Sequence, residues 1–493
     1  MIPVLAPEEM AEVDRRAPDP VEVLIGRAGA QVGRVARPML DGRGSGKEVV
    51  VVAGPGNNGA DGTASAALLR GRGALVEVLE ATELAPSASL RGADLVIDAA
   101  YGTGLRRPYR PPDLEGRCVL AVDIPSGISG TTGEILEETE GGGAVRARHT
   151  VTFAALKPGL LLGSGPAHAG IVELADIGLG AGVDAVATAW LVTDEDVAEL
   201  VPRRTRDAHK WQSALQVVAG SPGMTWAPWL VSRAALRAGA GYVRLGVPGM
   251  DPADSGLPPS EVVSTALPET GWAAALGEML SRCRALVVGP GLGPAAVGSS
   301  NVPGPTSEVS RLVAAAALPT VIDADGLGAL GGVEGLATLA RRRGYPTIVT
   351  PHAGEFERLV GVPVGSDLVG AMRDLAARTG AIVLLKGSTT VVGHPDGRVL
   401  LSASGGPRLA TAGTGDVLSG VIGALLARGV PAWEAAGIGA HLHGRAAEAG
   451  RPEGLVASDL PELVSGWLSS PWERGRPARD LRLPGEAREG LPR

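Results

Sequence analysis

The segment Ala-Gly-Thr-Gly-Asp at residues 412–416 has the composition of an anion-binding turn, and it opens an apolar helical stretch at residues 416–428. Backbone N–H groups at a helix N-terminus bind anions, and Asp416 would be placed to take a proton from a hydroxyl that attacks a phosphoryl group. The alternative is a carboxylate that only stabilises the helix end, by about 0.3–1 kcal/mol. The flanking glycines are unnecessary for that purpose, so the sequence favours phosphoryl chemistry.

Four further polar segments follow predicted strands in the same half of the chain, at residues 289–293, 323–326, 350–356 and 386–390. Lys386 is one of only four lysines among 45 basic residues, and it precedes Gly-Ser-Thr-Thr. A compact ammonium beside such a loop suits the phosphates of a nucleotide. His352 is a candidate ligand-binding residue, although a structural histidine with satisfied hydrogen bonds is the alternative.

In the first half, Gly-Pro-Gly-Asn-Asn-Gly at residues 54–59 lies between a predicted strand and a predicted helix and fits G-x-G-x-x-G. Glycines let the backbone approach a phosphate, and Glu77 falls where a ribose-binding acid is expected. A glycine-rich turn without a nucleotide is the alternative. A dinucleotide fingerprint requires neither the Asn57–Asn58 pair nor Asp61, and both indicate a more specific site.

Two more carboxylates end predicted strands in this half, and a glycine-containing turn follows each of them. Asp98 precedes residues 102–108, and Asp123 lies within residues 121–127. Parallel α/β sheets bind ligands at the carboxyl ends of their strands. Asn58, Asp98 and Ser126 offer oxygen ligands to a hard cation, without the His or Cys that transition metals prefer. Alternatively, Asp98 and Asp123 only cap adjacent turns.

The elements that position these residues alternate between strands and helices, which predicts α/β domains with parallel sheets covered on both faces. Helices are predicted at residues 63–72, 231–240, 309–317, 368–379 and 416–428. Residues 293–305, rich in Gly, Pro and Ser, predict a surface loop. The strands are predicted at residues 48–53, 75–79, 95–98, 119–122, 149–154, 170–175, 215–219, 242–247, 285–289, 320–323, 347–350 and 381–385.

Composition narrows the class of protein. The chain has 493 residues and a formal charge of −8, so we expect several domains and no binding of nucleic acid or of a membrane. Cys118 and Cys283 are the only cysteines, which excludes a disulfide framework. The acidic N-terminus and the absence of a long apolar run predict a cytoplasmic protein. A break rich in charge and proline at residues 198–207 predicts a boundary between two domains.

The motifs AGPGNNGADG, DAAYGTGLRRP, VDIPSGI and TVTFAALKPGL resemble, in this order, the YjeF N-terminal family of NAD(P)H-hydrate epimerases. The resemblance implies a Rossmann-like three-layer αβα domain at residues 1–204 that interconverts the R and S forms of hydrated NAD(P)H. It implies Asp123 as the catalytic residue at the nicotinamide ring and a potassium ion held by Asn58, Asp98 and Ser126. The substrate-binding residues implied besides Asp123 are Asn57, Asn58, Gly59, Ala60, Asp61, Gly102, Thr103, Gly104, Leu105, Arg106, Arg107 and Pro108.

The second half resembles the YjeF C-terminal family of ADP-dependent NAD(P)H-hydrate dehydratases, which have a ribokinase-like α/β fold, over residues 205–470. The resemblance implies Asp416 as the catalytic base and magnesium at the phosphates of ADP, the phosphoryl donor. Substrate contacts are implied for Ala227, Gly293, His352 and Asp416. Nucleotide contacts are implied for Lys386, Gly387, Ser388, Thr389, Thr390 and Gly415.

Some positions depart from the family patterns, and residues 471–493 predict a disordered tail. Ala60, Trp211, Ala214 and Trp226 stand where the families have glycine. An Ala60 that needed a positive φ would weaken the epimerase loop, and the two tryptophans are expected near the dehydratase entrance.

The resemblances predict a homo-oligomeric repair enzyme with small-molecule substrates. A ribokinase-like small-molecule kinase with a regulatory first domain is the alternative enzyme. A non-catalytic dinucleotide-binding protein is the alternative from another class.

Overall fold

The computed structural model describes every residue except 43, 86–87, 91, 115, 137–142, 252–259, 471–480 and 483–493. It divides the chain into two compact units whose main segments are Ile2–Trp190, the N-unit, and Leu191–Trp472, the C-unit. This division precedes the expected break at residues 198–207, because Asp194 accepts hydrogen bonds from His441 and Arg445 of the C-unit. Of the tail predicted to be disordered, only Leu481–Arg482 is among the described residues.

The N-unit contains a parallel sheet with the strand order β7-β6-β5-β4-β2-β3, and β18 pairs antiparallel with β7. Its strands, with β8 at the unit boundary, are β1 Ile2–Val4, β2 Glu48–Ala53, β3 Leu75–Glu80, β4 Leu95–Ala99, β5 Val119–Val122, β6 His149–Phe153, β7 Ile171–Ala175, β8 Ala189–Leu191 and β18 Leu481–Arg482. Its helices are α1 Pro7–Arg15, α2 Val21–Met39, α3 Asn57–Arg70, α4 Pro158–Leu161, α5 Gly165–Ala169 and α6 Gly180–Val186.

Both faces of this sheet are covered, as the apolar runs predicted. Val49 and Val51 of β2 pack into one hydrophobic core with α2 and α3, whereas Val52 packs into a second core on the opposite face. Alternate residues of a strand point to opposite faces, so two cores on one strand require a three-layer arrangement. The expected αβα architecture of the first half is therefore confirmed.

The glycines after β2 allow the backbone to pack closely rather than to face a ligand. A Cβ added at Gly54 would lie 1.7 Å from the Ala100 carbonyl oxygen, and one at Gly59 would lie 1.8 Å from the Gly54 carbonyl oxygen. Gly56, in contrast, has open space around it and directly precedes α3. The G-x-G-x-x-G pattern thus combines two packing glycines with one that leaves the helix N-terminus accessible.

In the C-unit, nine strands among the described residues form a sheet with the order β17-β16-β15-β14-β13-β12-β9-β10-β11, in which only the β15–β16 and β16–β17 pairs are antiparallel. The strands are β9 Ala214–Val218, β10 Tyr242–Pro248, β11 Val263–Leu267, β12 Ala285–Val288, β13 Thr320–Ile322, β14 Thr347–Val349, β15 Ile382–Leu385, β16 Thr390–Gly393 and β17 Val399–Ser402. The helices are α7 Asp194–Leu200, α8 Trp226–Arg237, α9 Trp272–Ala275, α10 Gly277–Leu280, α11 Glu308–Ala315, α12 Asp325–Gly328, α13 Gly332–Arg342, α14 Ala353–Val360, α15 Leu368–Thr379, α16 Thr414–Ala427, α17 Ala432–Ala449 and α18 Leu460–Ser469.

Helix α16 is held rigidly against the sheet and its neighbours. A Cβ at Gly420 would lie 2.2 Å from the Val231 carbonyl oxygen of α8, and one at Gly423 would lie 2.4 Å from a methyl group of Val287 in β12. All residues from Val417 to the end of the helix are buried. Close packing of this kind fixes the N-terminus of α16, and with it Asp416. Among the described helices, none has the length and apolar character needed to cross a membrane.

Candidate active sites

The N-unit encloses a cavity of about 740 Å³ at the carboxyl ends of its parallel strands. The expected substrate-binding residues Gly59, Ala60 and Pro108 do not line this cavity. Gly59 instead packs against Gly54, as described above. The expected residues that do line it are Asn57, Asn58, Asp61, Gly102, Thr103, Gly104, Leu105, Arg106, Arg107 and Asp123.

Ala60 does not strain the loop, contrary to the concern raised by its place in the motif. It lies inside α3, and it is absent from the residues other than glycine that have a positive φ. Alanine is the residue most favourable to a helix interior, whereas glycine costs about 1 kcal/mol there. The departure from the family glycine therefore leaves the backbone of this turn unchanged.

Asp123 follows β5 with a φ of +67°, a left-handed conformation that is uncommon for any residue other than glycine. Its Oδ1 accepts hydrogen bonds from Lys157 Nζ at 2.5 Å and from Thr152 Oγ1 at 3.0 Å. The backbone N–H of Asp123 donates to the Val151 carbonyl at 2.7 Å. The turn and the side-chain contacts together aim this carboxylate into the cavity.

Two further carboxyl groups face the same cavity, from Asp61 in α3 and Asp14 in α1. Burial, together with the charges of Asp123 and Asp14, raises the pKa of Asp61 to about 8. Burial, with a smaller contribution from Asp123, also raises the pKa of Asp14. Sequence analysis did not identify Asp14, and it assigned no role to Lys157, although Lys157 is one of only four lysines in the chain. The Asp61 carboxyl group in this cavity is therefore mostly protonated near neutral pH.

The three expected potassium ligands lie together beside this cavity. Ser126 donates to Asp98 from both its backbone N–H, at 2.8 Å, and its hydroxyl, at 2.6 Å. Burial raises the pKa of Asp98 to about 6 despite these hydrogen bonds. Both polar atoms of the Asn58 amide are buried without a hydrogen-bond partner among the described residues. The Asn58 amide lies against Gly102, whose neighbour Tyr101 donates its N–H to Ser126 Oγ.

An unsatisfied buried amide oxygen and a buried carboxylate at the carboxyl ends of two neighbouring strands form a favourable environment for a hard cation. Burying a polar group without a partner is costly, and oxygen atoms are the ligands that such cations prefer. Potassium bound by Asn58 Oδ1, Asp98 and Ser126 would satisfy the amide and neutralise the carboxylate. The residues present therefore fit the ion that the motif implies.

In the C-unit, Asp416 is the third residue of α16. The helix begins directly after Gly413, whose φ is +89°. Burial and the negative charge of Asp323 raise the pKa of Asp416 to about 7, against the opposing effect of Lys386. A Cβ at Gly415 would lie 3.4 Å from Lys386 Nζ, so the helix N-terminus and the ammonium face one another. A general base works best when its pKa is near the operating pH, and the free N–H groups beside it bind anions.

Lys386 is held by two carboxylates, from Asp323 directly after β13 and from Glu355 in the first turn of α14. Its Nζ lies 2.8 Å from Asp323 Oδ1 and 3.5 Å from Glu355 Oε2. Burial alone would lower its pKa, but the charges of Asp323 and Glu355 raise it above the usual value. Asp323 also accepts a hydrogen bond from Ser419 Oγ of α16 at 2.7 Å. This network fixes the ammonium beside the α16 N-terminus, where phosphate oxygens would bind.

The expected nucleotide-binding residues Lys386, Gly387, Ser388, Thr389 and Thr390 form the tight hairpin between β15 and β16. An isolated parallel bridge joins Lys386 to His352 of the preceding strand end. Gly387 and Ser388 are exposed and Thr389 is buried. The hairpin therefore presents its first residues at the same edge as Asp416.

The implied substrate contacts of the C-unit also lie at the carboxyl edge. His352 caps α14, because its Nδ1 accepts hydrogen bonds from the N–H groups of Gly354 and Glu355. Its other ring nitrogen lies 3.6 Å from Glu355 Oε1, and about half of the side chain is exposed. Gly293 donates its N–H to Asp325, and Ala227 packs against Gly291. His352 thus has a structural role that does not prevent it from contacting a ligand.

The expectation that both tryptophans lie near the dehydratase entrance is wrong for Trp211. Its ring packs on Tyr242, at the amino end of β10, with 4.6 Å between ring centroids, and under Arg282. The amino ends of these strands lie at the opposite edge of the sheet from Asp416. Ala214 begins β9 at that same edge and is buried. Trp226 is the first residue of α8, at the carboxyl edge of the sheet where Asp416 also lies, and it is 62% exposed.

His443 is a buried residue beside the C-unit site that the sequence analysis did not identify. Burial lowers the pKa of His443 in α17 to about 4, and its side chain interacts with the backbone of Thr414. Its Nε2 has no hydrogen-bond partner among the described residues. His443 therefore packs, uncharged, behind the first turn of α16.

Both halves match described families. Residues 215–467 match the model described as NAD(P)H-hydrate dehydratase, and residues 21–91 and 80–159 match the YjeF-related protein N-terminus. The chain is 36% identical to the bifunctional NAD(P)H-hydrate repair enzyme Nnr of Salinibacter ruber, across 87% of this chain and 89% of that protein. It is 39% identical to the enzyme of the same name from Mycobacterium tuberculosis, across 79% and 81%.

Among solved structures, the ADP/ATP-dependent NAD(P)H-hydrate dehydratase from Bacillus subtilis, co-crystallised with ATP/Mg²⁺, is 28% identical. It aligns with 56% of this chain and 96% of its own, with a TM-score of 0.45.

Asp14 lies outside the residues that match the N-terminal family model, whereas Asp123 and Lys157 lie within them.

Proposed function

The chain belongs to the family of bifunctional NAD(P)H-hydrate repair enzymes, and from this membership we propose a division of labour between its two units. The N-unit epimerises R- and S-NAD(P)HX in the cavity around Asp123. The C-unit dehydrates S-NAD(P)HX at Asp416 and consumes a nucleotide. Allocation of the first activity to residues 1–204 and of the second to residues 205–470 is part of this proposal.

The observation that carries the dehydratase assignment is Asp416 at the N-terminus of α16, opposite Lys386. In the first step Asp416 takes the proton of the C6 hydroxyl, and that oxygen attacks the terminal phosphoryl group of ADP. The N–H groups at the helix N-terminus and Lys386 stabilise the charge on the phosphoryl oxygens. The ring-nitrogen lone pair then expels phosphate from C6, and the resulting iminium ion loses a proton from C5 to the departing phosphate, which yields NAD(P)H, AMP and phosphate.

Magnesium enters this scheme with the nucleotide, as part of the co-substrate. No group of three or more His, Cys, Asp or Glu side chains among the described residues is placed to hold a metal ion. Mg²⁺ is usually held by phosphate oxygens, water and only one or two carboxylates. Magnesium that arrives as MgADP needs no further side-chain cluster of its own.

In the N-unit, Asp123 is the acid–base residue at the C6 centre, and the N-terminus of α3 with the loop of residues 102–107 binds the phosphates of the dinucleotide. Inversion at C6 requires that either the C6–O bond or the ring C6–N bond break and re-form, through an iminium ion or a ring-opened aldehyde. A carboxylate facing the ring can give and take the proton that either route moves. Asn58, Asp98 and Ser126 would hold potassium, which would supply positive charge to this site. Because the dehydratase uses one epimer only, the epimerase keeps the other from accumulating.

The reaction products distinguish this proposal from the kinase alternative. We expect S-NADHX with MgADP to yield NADH, AMP and phosphate in equal amounts, measured by absorbance and chromatography. A small-molecule kinase would instead accumulate a phosphorylated product without NADH. A dinucleotide-binding protein would show binding of NADHX without turnover.

The dehydratase rate should fall on the acid side of about pH 7. Asp416 acts as a base only when ionised, and its pKa is raised to about 7, so protonation below that pH removes the active form. We expect kcat/KM for S-NADHX to drop about tenfold per pH unit well below the pKa and to level off above it. A profile that stays flat down to about pH 5 would contradict the assignment of Asp416 as the base.

Removal of potassium should impair the epimerase. Without the ion, the Asn58 amide is unsatisfied beside the buried Asp98, so the loop that binds the substrate phosphates loses support. We expect a higher KM for R-NADHX when potassium is replaced by tetramethylammonium, and an Asn58→Ala variant whose residual rate no longer responds to potassium. Equal potassium dependence in the variant and the parent would exclude this site.

Two expectations concern the whole molecule. We propose a cytoplasmic location, where reduced nicotinamide cofactors are used, and assembly into a homo-oligomer. Size-exclusion chromatography with light scattering measures the second directly, and a monomeric mass would contradict it.

A further inference from the structure

Lys157 is the most completely buried charged side chain of the N-unit site, with 1% of its side chain exposed. Its ammonium donates to Asp123 Oδ1 at 2.5 Å, to Thr152 Oγ1 at 2.9 Å and to the Phe153 carbonyl at 3.0 Å. An ammonium has three donors, and here each has a protein acceptor. Lys157 therefore has no donor left for a substrate.

The contacts divide the two oxygens of Asp123 into different roles. Oδ1 accepts from both Lys157 and Thr152, whereas no described residue donates a hydrogen bond to Oδ2. The Asp123 side chain is 16% exposed and lines the cavity. Oδ2 is thus the oxygen available to a bound ligand.

The charges around Asp123 explain why a cation is needed at this place. Asp61 of α3 and Asp14 of α1 face the same space and interact electrostatically with Asp123, which helps to raise the pKa of both. The other cations that line the cavity are Arg106, which pairs with Glu8, and Arg107, which lies over Tyr101. Without Lys157, Asp123 would face two other carboxyl groups with no buried positive charge beside it.

We propose that Lys157 is the positioning residue of the epimerase: its ammonium holds Oδ1 of Asp123 so that Oδ2 gives and takes the proton that the C6 hydroxyl group exchanges as the C6–O or ring C6–N bond breaks and re-forms. This inference rests on the proposed epimerase function of the N-unit. Lys157 acts through Asp123 and does not touch the substrate. Even a small rotation of the carboxylate changes the direction in which the free oxygen points. The rate of proton transfer depends on that direction.

Three variants test the proposal in the full-length chain. Lys157→Ala leaves space for a small cation, Lys157→Met fills the space with an uncharged chain of similar length, and Thr152→Val removes the second donor to Oδ1. We expect both Lys157 variants to lose about 100-fold in kcat for epimerisation of R-NADHX, with little change in KM. Methylammonium should restore part of the rate of Lys157→Ala and none of that of Lys157→Met.

Thermal unfolding followed by circular dichroism reports whether the N-unit of each variant is folded, and the dehydratase rate on S-NADHX in the same preparations measures the amount of active chain. Should Lys157→Ala fail to fold, the comparison of kcat with KM in Lys157→Met still tests the proposal. Wild-type epimerisation rates in the Lys157 variants would overturn it, and so would a loss that lies in KM alone. If the wild-type chain itself does not epimerise R-NADHX, the proposed function fails, and this inference fails with it.

Discussion

The Asp416→Asn variant should lose NADH formation from S-NADHX and ADP by about 10²–10⁴-fold, the range typical for removal of a general base. The amide keeps the size of the side chain and its place in the first turn of α16 but cannot take a proton from the C6 hydroxyl. KM values for S-NADHX and ADP should change little, because Lys386 and the helix N-terminus remain. The measurement is steady-state absorbance of NADH with saturating MgADP.

Asp367→Asn is the matched control for this experiment. Asp367 precedes helix α15, its Oδ1 accepts from the N–H of Gly370 at 2.8 Å, and it serves only as a helix cap. It should keep the full dehydratase rate and lose only a fraction of the stability of its helix. Near wild-type activity in Asp416→Asn would show that Asp416 also serves only the helix end, and another base would have to be sought.

The Asp123→Asn variant should lose epimerisation of R-NADHX by a similar factor of about 10²–10⁴ while its dehydratase remains intact. Asparagine retains an acceptor for Lys157 and Thr152 at one oxygen, but its second polar atom is an amide nitrogen that cannot accept a proton. Starting from mixed epimers, NADH should then form only from the S fraction, apart from slow spontaneous epimerisation. Chiral chromatography of the remaining NADHX measures the R fraction.

Asp176→Asn is the matched control in the N-unit. Asp176 follows the end of β7 and accepts from the N–H of Gly178 at 2.7 Å, so it is a strand-end carboxylate that caps a turn. It should epimerise R-NADHX at the wild-type rate. If Asp123→Asn did the same, Asp123 would be no more than another turn cap, and Asp61 would become the leading candidate in the cavity.

Sequence alone predicted the strands of the two sheets well where they are buried on both faces. Strands β2 and β5 occur at the predicted bounds, since short continuous apolar runs such as these, next to turn residues, have few other interpretations. The short β16 was missed because its first residue, Thr390, belongs to a segment interpreted only as a phosphate loop. Helix α2 was also missed, although Leu24, Ala28, Val32 and Val35 are spaced to face one core.

Site residues that belong to recognised sequence motifs were predicted, and site residues outside those motifs were not. Asn58, Asp98 and Ser126 come together because parallel strands bring their carboxyl ends to one edge. Asp14 could not be predicted in this way, since it reaches the cavity from α1 through tertiary packing and lies outside the matched family segment. The pairing of Lys386 with Asp323 joins residues 63 positions apart and depends on the order of strands in the sheet.

The central claim is that one chain carries both repair activities, and a single absorbance trace tests it. The sample is the wild-type chain with mixed R- and S-NADHX, magnesium, potassium and ADP, and the reading is the NADH formed at completion. Our account predicts that both epimers are recovered as NADH. The epimerase should convert the R fraction faster than spontaneous epimerisation does. A trace that stops when the S epimer is exhausted would contradict the epimerase assignment, and no NADH with either ADP or ATP would contradict the repair function as a whole.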